Sequence, residues 1–203
     1  MATRLQPTAA SMALTLRSNE QGFSLIDMLA VVTILGTVSA IALPSMLGAM
    51  ERVRLGQSAR EVERELQLAK ARAVVKGRAM RVRFDCPADG GYRTVELIGT
   101  PTAPVAEDSA DDRCGEADYP YPAPDRDPNT LPNLDGALRH LDPTVSFSAA
   151  QTIEFRANGM AFYDAGGGDF DLIPVAGISI TLLRDGLTKT ITVNGLGKVA
   201  LQQ

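Results

Sequence analysis

The chain has 203 residues, a formal net charge of −4 and 45% hydrophobic residues, with two cysteines and one histidine. Two isolated thiols cannot make a four-ligand zinc site, and they lack Cys-x-x-Cys spacing. The one histidine, His140, has no nucleophile at a suggestive spacing, so we expect no catalytic site, no metal and no cofactor.

The first distinctive element is an uncharged segment, residues 28–50, which follows the sequence Gly22-Phe23-Ser24-Leu25-Ile26-Asp27. As a helix, these 23 residues rise about 34 Å, enough to cross a hydrocarbon core of about 30 Å. A secretory signal has its small-residue cleavage site behind the apolar run, whereas Gly22 stands in front of it. Cleavage there would leave the apolar helix on the mature protein.

Asp27 lies near the start of this apolar helix. A carboxylate inside a membrane-spanning helix is costly, so such residues usually have a partner. A free amine at Phe23, in the same chain or in a neighbouring one, could neutralise it. The alternative is that Asp27 reaches the membrane interface.

Residues 51–77 are predicted to continue the helix as an amphipathic half. Apolar residues recur at spacings of three and four, which places them on one face. Gly77 is a plausible terminator. The predicted stripe comprises Leu55, Ala59, Val62, Leu66, Ala69 and Ala73.

After Gly77 the pattern changes to alternation, which is typical of strands. The Arg184-Asp185-Gly186 sequence predicts a hairpin turn, and Gly166-Gly167-Gly168 predicts a flexible turn. The fold class is therefore α+β, a long N-terminal helix packed on an antiparallel β-sheet domain, residues 78–203. The predicted strands are residues 80–84, 92–98, 145–147, 152–155, 160–163, 178–183, 188–193 and 198–201.

Residues 99–143 form a predicted loop that is rich in proline, aspartate and alanine. A loop this long is usually functional or poorly ordered. Asp125-x-Asp127-x-Asn129 begins like a calcium loop, but Thr130 replaces the glycine and Gly136 stands where the closing glutamate belongs. We expect simple solvated charge there, with calcium binding as the alternative.

Charge is distributed unevenly along the soluble part. Residues 51–83 carry ten basic and four acidic residues, net +6, whereas residues 84–143 carry four and thirteen, net −9. Residues 144–203 carry four basic and five acidic residues, net −1. The acidic loop would repel phosphate, so the charge pattern does not favour DNA binding.

The segment GFSLIDMLAVVTILGTVSAIALPSM resembles the N-terminus of type IV pilins and type II secretion pseudopilins. The resemblance implies that a prepilin peptidase cuts after Gly22 and methylates the new amine of Phe23. Asp27 stands where the family normally has glutamate at the fifth mature position, and Pro44 stands where it often has proline. Residues 1–22 would be the cleaved leader, with Met12 as a second possible start.

The same resemblance implies a location. Residues 23–50 would hold the chain in inner-membrane lipid with a single pass, and the β-sheet domain would lie in the periplasm. In that oxidising compartment we expect a disulfide between Cys86 and Cys114, the alternative being two unpaired cysteines. After assembly the apolar half would pack among other pseudopilins or pilins in a filament, with Asp27 and Pro44 as assembly residues.

The C-terminal sequences TIEFRANGMAFYD, GISITLLRDG and TKTITVNGLGKVAL resemble the GspH/FimT family of pseudopilins. Gly197-Lys198-Val199 stands where that family has Gly-Arg-Val. The implied function is a minor pseudopilin of a type II secretion pseudopilus, involved in protein secretion. One alternative is a minor type IV pilin in pilus assembly or DNA uptake, which would bind DNA through Arg184, Lys189 and Lys198. Another is a single-span membrane anchor that does not polymerise and whose β domain binds a partner.

Overall fold

The computed structural model describes residues 24–124, 132–166 and 168–202, except the side chains of residues 43–45 and 47. Gly22 and Phe23 lie outside the described residues, and so do Asp125, Asp127 and Asn129. The candidate calcium loop is therefore not described.

One α-helix, α1, runs from Leu25 to Lys76. At its start the Ser24 hydroxyl accepts a hydrogen bond from the Ile26 amide (3.4 Å), and the Asp27 carboxylate accepts one from the Ser24 amide (3.3 Å). Such reciprocal bonds satisfy amides that have no partner inside the helix. The helix ends at Gly77, whose φ of +68° is the left-handed conformation that terminates helices, as the sequence predicts.

The chain divides into two compact units, Met1–Ser45 and Met46–Gln203. In the first unit the described residues from Leu25 onward are helical, and the large apolar side chains of residues 25–41 are exposed. In the second unit the remainder of α1 packs on β-strands. The predicted apolar stripe is confirmed, because all six of its residues are at most 2% exposed.

In the described part of the second unit the strands form two antiparallel sheets. The six-stranded sheet has the order β3-β2-β1-β5-β6-β7, and the four-stranded sheet has the order β10-β9-β8-β4. A single buried cluster joins the helix stripe to apolar residues of both sheets. The strands are β1 Met80–Phe84, β2 Gly91–Glu96, β3 Arg139–His140, β4 Ser146–Ala149, β5 Ile153–Phe155, β6 Ala161–Gly166, β7 Asp169–Leu172, β8 Ile178–Arg184, β9 Leu187–Val193 and β10 Val199–Leu201.

The α+β class is confirmed, and all eight predicted strands are present with small shifts of their ends. Two strands were not predicted. β3 has only two residues, both exposed, so alternation could not reveal it. β7 follows the glycine-rich turn and is short and largely exposed, which gives it no strong apolar signal.

The hairpin between β8 and β9 turns through Asp185 and Gly186, as predicted. Their φ angles of +46° and +77° are those of the two-residue turns that match the twist of hairpin strands. The turn fixes the register of the longest strand pair among the described residues, in which Arg184 lies opposite Leu187.

A disulfide joins Cys86 and Cys114, whose Cα atoms are 5.2 Å apart. Cys86 follows β1, and Cys114 ends the second of two 3-10 turns, Ala106–Asp108 and Asp111–Cys114. Both cysteines are buried. The bond therefore fastens the long loop to the edge of the β1–β2 hairpin.

Loss of this bond should destabilise the second unit. The closed loop spans 28 residues, for which the chain-entropy model gives about 3.5 kcal/mol. We expect the Cys86→Ser/Cys114→Ser variant to lose about this much free energy of unfolding, measured by urea titration of the full chain in non-ionic detergent. Reductant should lower the stability of the unmodified chain by a similar amount and leave the variant unchanged; a response of the variant would contradict this account.

Candidate functional site

The first candidate site is the N-terminal part of α1. Leu25–Ala42 is the one stretch among the described residues that is long and apolar enough to cross a membrane. Thr33 and Thr37 donate their hydroxyls to the carbonyl oxygens of Leu29 and Ile34, at 2.8 and 2.9 Å, so these polar groups are satisfied within the helix. Such internal bonding is what an apolar solvent requires.

Asp27 is the one charged side chain in this stretch. Its carboxylate is exposed and is bonded to the Ser24 amide at the start of the helix, where the helix dipole favours an anion. The opposite face of the carboxylate remains open to a further donor. Small residues follow along the helix, and a Cβ added at Gly36 would meet no atom within 4 Å.

The second candidate site is the long loop, which is held by buried charges. Arg113, fully buried, donates to both oxygens of Asp135, from Nη2 at 2.8 Å and from Nε at 3.2 Å. Its Nη2 also donates to the Glu96 carbonyl oxygen at 2.7 Å. A bidentate, fully desolvated pair of this kind has strong geometric specificity.

Asp108 and Glu96 hold other parts of the same loop. The Asp108 carboxylate accepts backbone amides of Ile98, Gly99 and Val105, at 2.6, 3.1 and 2.9 Å. The Glu96 carboxylate accepts the amide of Asn133 at 2.8 Å and that of Leu134 at 3.0 Å. These bonds to carboxylates replace the regular backbone hydrogen bonds of a helix or sheet, which the loop lacks.

Arg93 completes the cluster from β2. Its guanidinium donates to the carbonyl oxygens of Gly136 (2.8 Å) and Tyr119 (2.6 Å) and also bonds to Gly115. Burial lowers the pKa of Arg93 below its usual value, while the nearby Asp135 carboxylate opposes this shift. Successive side chains of β2 point to opposite faces of the sheet. Arg93 therefore faces the loop, while the neighbouring Thr94 bonds to Glu65 of α1 at 2.7 Å. The described part of the loop is thus ordered against the sheet.

The three cations predicted as DNA contacts are in different environments. Arg184 is 7% exposed, and its guanidinium lies 3.8 Å from Asp142 and 3.6 Å from Asp185. This burial leaves Arg184 little accessible to a phosphate, and the DNA contacts stay an alternative prediction. Lys189 is half-buried and Lys198 is exposed.

A lysine that the sequence did not single out supports the turn before β10. Lys70 of α1 donates to the carbonyl oxygens of Leu196 and Gly197, at 3.0 and 2.9 Å. Gly197 has a φ of +67°, and a Cβ there would overlap the Gly159 carbonyl oxygen. Glycine at position 197 is thus needed for close packing of this turn.

Other polar groups form no metal site. Among residues 24–124, 132–166 and 168–202, no three His, Cys, Asp or Glu side chains are arranged to hold a metal ion. His140 lies in β3 and is exposed.

No protein-family model matches the sequence, and no curated protein matches it. Solved structures of two bacterial proteins are similar in fold. The type IV minor pilin FimU of Pseudomonas aeruginosa is 16% identical, with a TM-score of 0.45, over 75% of this chain and 91% of FimU. The minor pseudopilin EpsH from the type II secretion system of Vibrio cholerae is 14% identical, with a TM-score of 0.41, over 73% of this chain and 96% of EpsH.

We expect the buried cluster to be more sensitive to substitution than the exposed ion pairs. Arg113→Met would leave the Asp135 and Asp108 carboxylates buried without their cation, which typically costs about 3–5 kcal/mol. The control is Arg83→Met. The Arg83 side chain is 16% exposed and donates to the Ala110 carbonyl oxygen at 2.6 Å, but its partner carboxylate, that of Asp111, is fully exposed, so no buried charge would be left unpaired and the loss should be smaller. Urea unfolding of both variants measures the difference; equal losses would contradict the role of the cluster.

Proposed function

We propose that this chain is a membrane-anchored subunit of a pilin-like filament, a minor pseudopilin of a type II secretion pseudopilus. The observation that carries the proposal is the start of α1. An apolar stretch of membrane-spanning length begins one turn after a Gly-Phe junction and carries a single carboxylate in its first turn. A plain secretory signal does not combine these three features: the junction in front of the apolar stretch, the membrane-spanning length and the carboxylate in the first turn.

In this proposal the prepilin peptidase cuts after Gly22 and methylates the amine of Phe23. The apolar half of α1 stays in inner-membrane lipid until assembly, and residues 78–203 lie in the periplasm. The buried disulfide between Cys86 and Cys114 supports this location, because such bonds persist in oxidising compartments. The role is structural, with no reaction carried out by this chain.

During assembly the apolar half would leave lipid and pack against the equivalent helices of neighbouring subunits. Close approach is supported by the small side chains at Gly36, Ser39 and Ala40, because helices without bulky residues approach closely in apolar surroundings. Asp27 would then neutralise the amine of a neighbouring Phe23. Pro44 lies within α1, where we propose that it serves assembly rather than ending the helix.

Processing is the first test of this proposal. In cells that contain prepilin peptidase, intact-mass spectrometry of the membrane-extracted chain should find a species that begins at methylated Phe23. The Gly22→Ala variant should remain uncut. Gly36→Ala is the control, because its new Cβ meets no neighbouring atom, and it should be processed normally. An uncut wild-type chain, beginning at Met1 or Met12, would leave the non-polymerising anchor instead.

The role of Asp27 in assembly can be tested separately. Two unit charges about 4 Å apart attract by about 4 kcal/mol at an effective dielectric of 20, before desolvation is subtracted. Asp27→Asn should therefore be processed, yet its crosslinking to neighbouring filament subunits in cells should fall at least about tenfold. Asp27→Glu keeps the charge and should retain crosslinking. Normal assembly of Asp27→Asn would exclude the charge pairing.

A further inference from the structure

A groove lies between α1 and the β8–β9 hairpin in the second unit. Its volume is about 550 Å³. Three cationic side chains line it, Arg52 and Arg60 from the helix and Lys189 from β9. No carboxylate is among its lining residues, which otherwise are apolar or neutral. We call this feature the basic groove.

The cations of the basic groove have no partner in the part of the chain that the structure describes. Among the described residues, neither an ion pair nor a side-chain hydrogen bond satisfies Arg52, Arg60 or Lys189. Val53, beside them, is 57% exposed. Burying unpaired cations next to apolar surface is favourable only when an anion accompanies them, so the groove fits an acidic protein segment with some apolar contact area.

The same chain presents such a segment on its long loop. Residues 106–118 contain six carboxylates and one arginine. Five of these carboxylates are exposed, and we call four of them the acidic knob. Three of the knob carboxylates lie in the two short 3-10 turns, Glu107 in the first and Asp111 and Asp112 in the second. The knob comprises Glu107, Asp111, Asp112 and Glu116.

The acidic knob is also rigidly supported. Arg113 lies between the knob residues in sequence, and its fully buried guanidinium bonds to Asp135 and to the Glu96 carbonyl oxygen. The neighbouring Cys114 is joined to Cys86. A preorganised surface loses little conformational entropy on binding, so its charges are available for contact with a partner.

We propose that the basic groove of one copy of this chain receives the acidic knob of a second copy. The contact uses two different surfaces, so each copy keeps one groove and one knob available. Contacts of this head-to-tail type generate rings or open chains instead of closed twofold dimers. Complementary charge sets the register and speeds association.

This proposal does not rest on N-terminal processing. Both surfaces lie in the second unit, residues 46–203, so the contact can form before or without cleavage at Gly22. A failure of the processing test would leave it standing, and its own failure would leave processing untouched.

Zero-length carbodiimide crosslinking tests the contact directly, because it joins a lysine amine to a carboxylate that touches it. The full chain would be prepared in non-ionic detergent as a mixture of ¹⁴N- and ¹⁵N-labelled protein. Mass spectrometry should find Lys189 joined to Glu107, Asp112 or Glu116 of the differently labelled chain. Raising the ionic strength from about 0.05 M to about 1 M, where the Debye length is about 3 Å, should abolish these crosslinks.

Charge reversal then assigns both surfaces. Arg60→Glu alone and Asp112→Lys alone should each lower the yield about fivefold or more. Mixing the two variants should restore it, because the native groove of one then meets the native knob of the other. Lys198→Glu makes the same change in net charge at an exposed site outside the groove and should have no effect.

Two outcomes would overturn the proposal. Crosslinks of Lys189 found only within one chain would show that no second copy is seated in the groove. A full yield in the Asp112→Lys variant, with loss in Arg60→Glu, would assign the groove to a different anion such as a lipid headgroup. Circular dichroism of each variant would confirm that it is folded.

Discussion

The structure depends on one helix that has to satisfy two different surroundings. In its first half α1 exposes apolar side chains, with its threonine hydroxyls bonded back to the backbone. In its second half a narrow stripe of small and medium side chains is fully buried against both sheets. Alanine at Ala59, Ala69 and Ala73 lets the strands approach the helix closely, and larger residues there would overpack the core.

The second constraint concerns a long loop without regular structure. Its buried backbone groups need partners, because an unpaired buried amide or carbonyl is costly. Side chains supply them here: Asp108 and Glu96 accept amides, while Arg93 and Arg113 donate to carbonyls. The charges in turn neutralise one another, as between Arg113 and Asp135. Some of the acidic residues that the sequence predicts to be solvated are thus buried in a packed polar cluster.

These two constraints separate the functions of the molecule. The apolar half of α1 and Asp27 serve insertion and assembly in our proposal, while the sheets act as a platform. The long loop projects its remaining carboxylates from that platform at fixed positions. The basic groove lies on the same platform at the β8–β9 hairpin. Because the two oppositely charged surfaces are separate, each copy could bind a second copy through one surface and a third copy through the other.

What the sequence determined by itself were the features set by local periodicity. Spacings of three and four predicted the buried stripe, alternation predicted eight strands, and Asp185-Gly186 predicted the hairpin, because each depends on neighbours a few residues apart. Only the tertiary structure decided which charges are buried. Arg113 meets Asp135 across 22 positions, and Arg184 is covered beside Asp142. Burial depends on what packs above a side chain, and a pairing between distant residues leaves no periodic trace in the sequence.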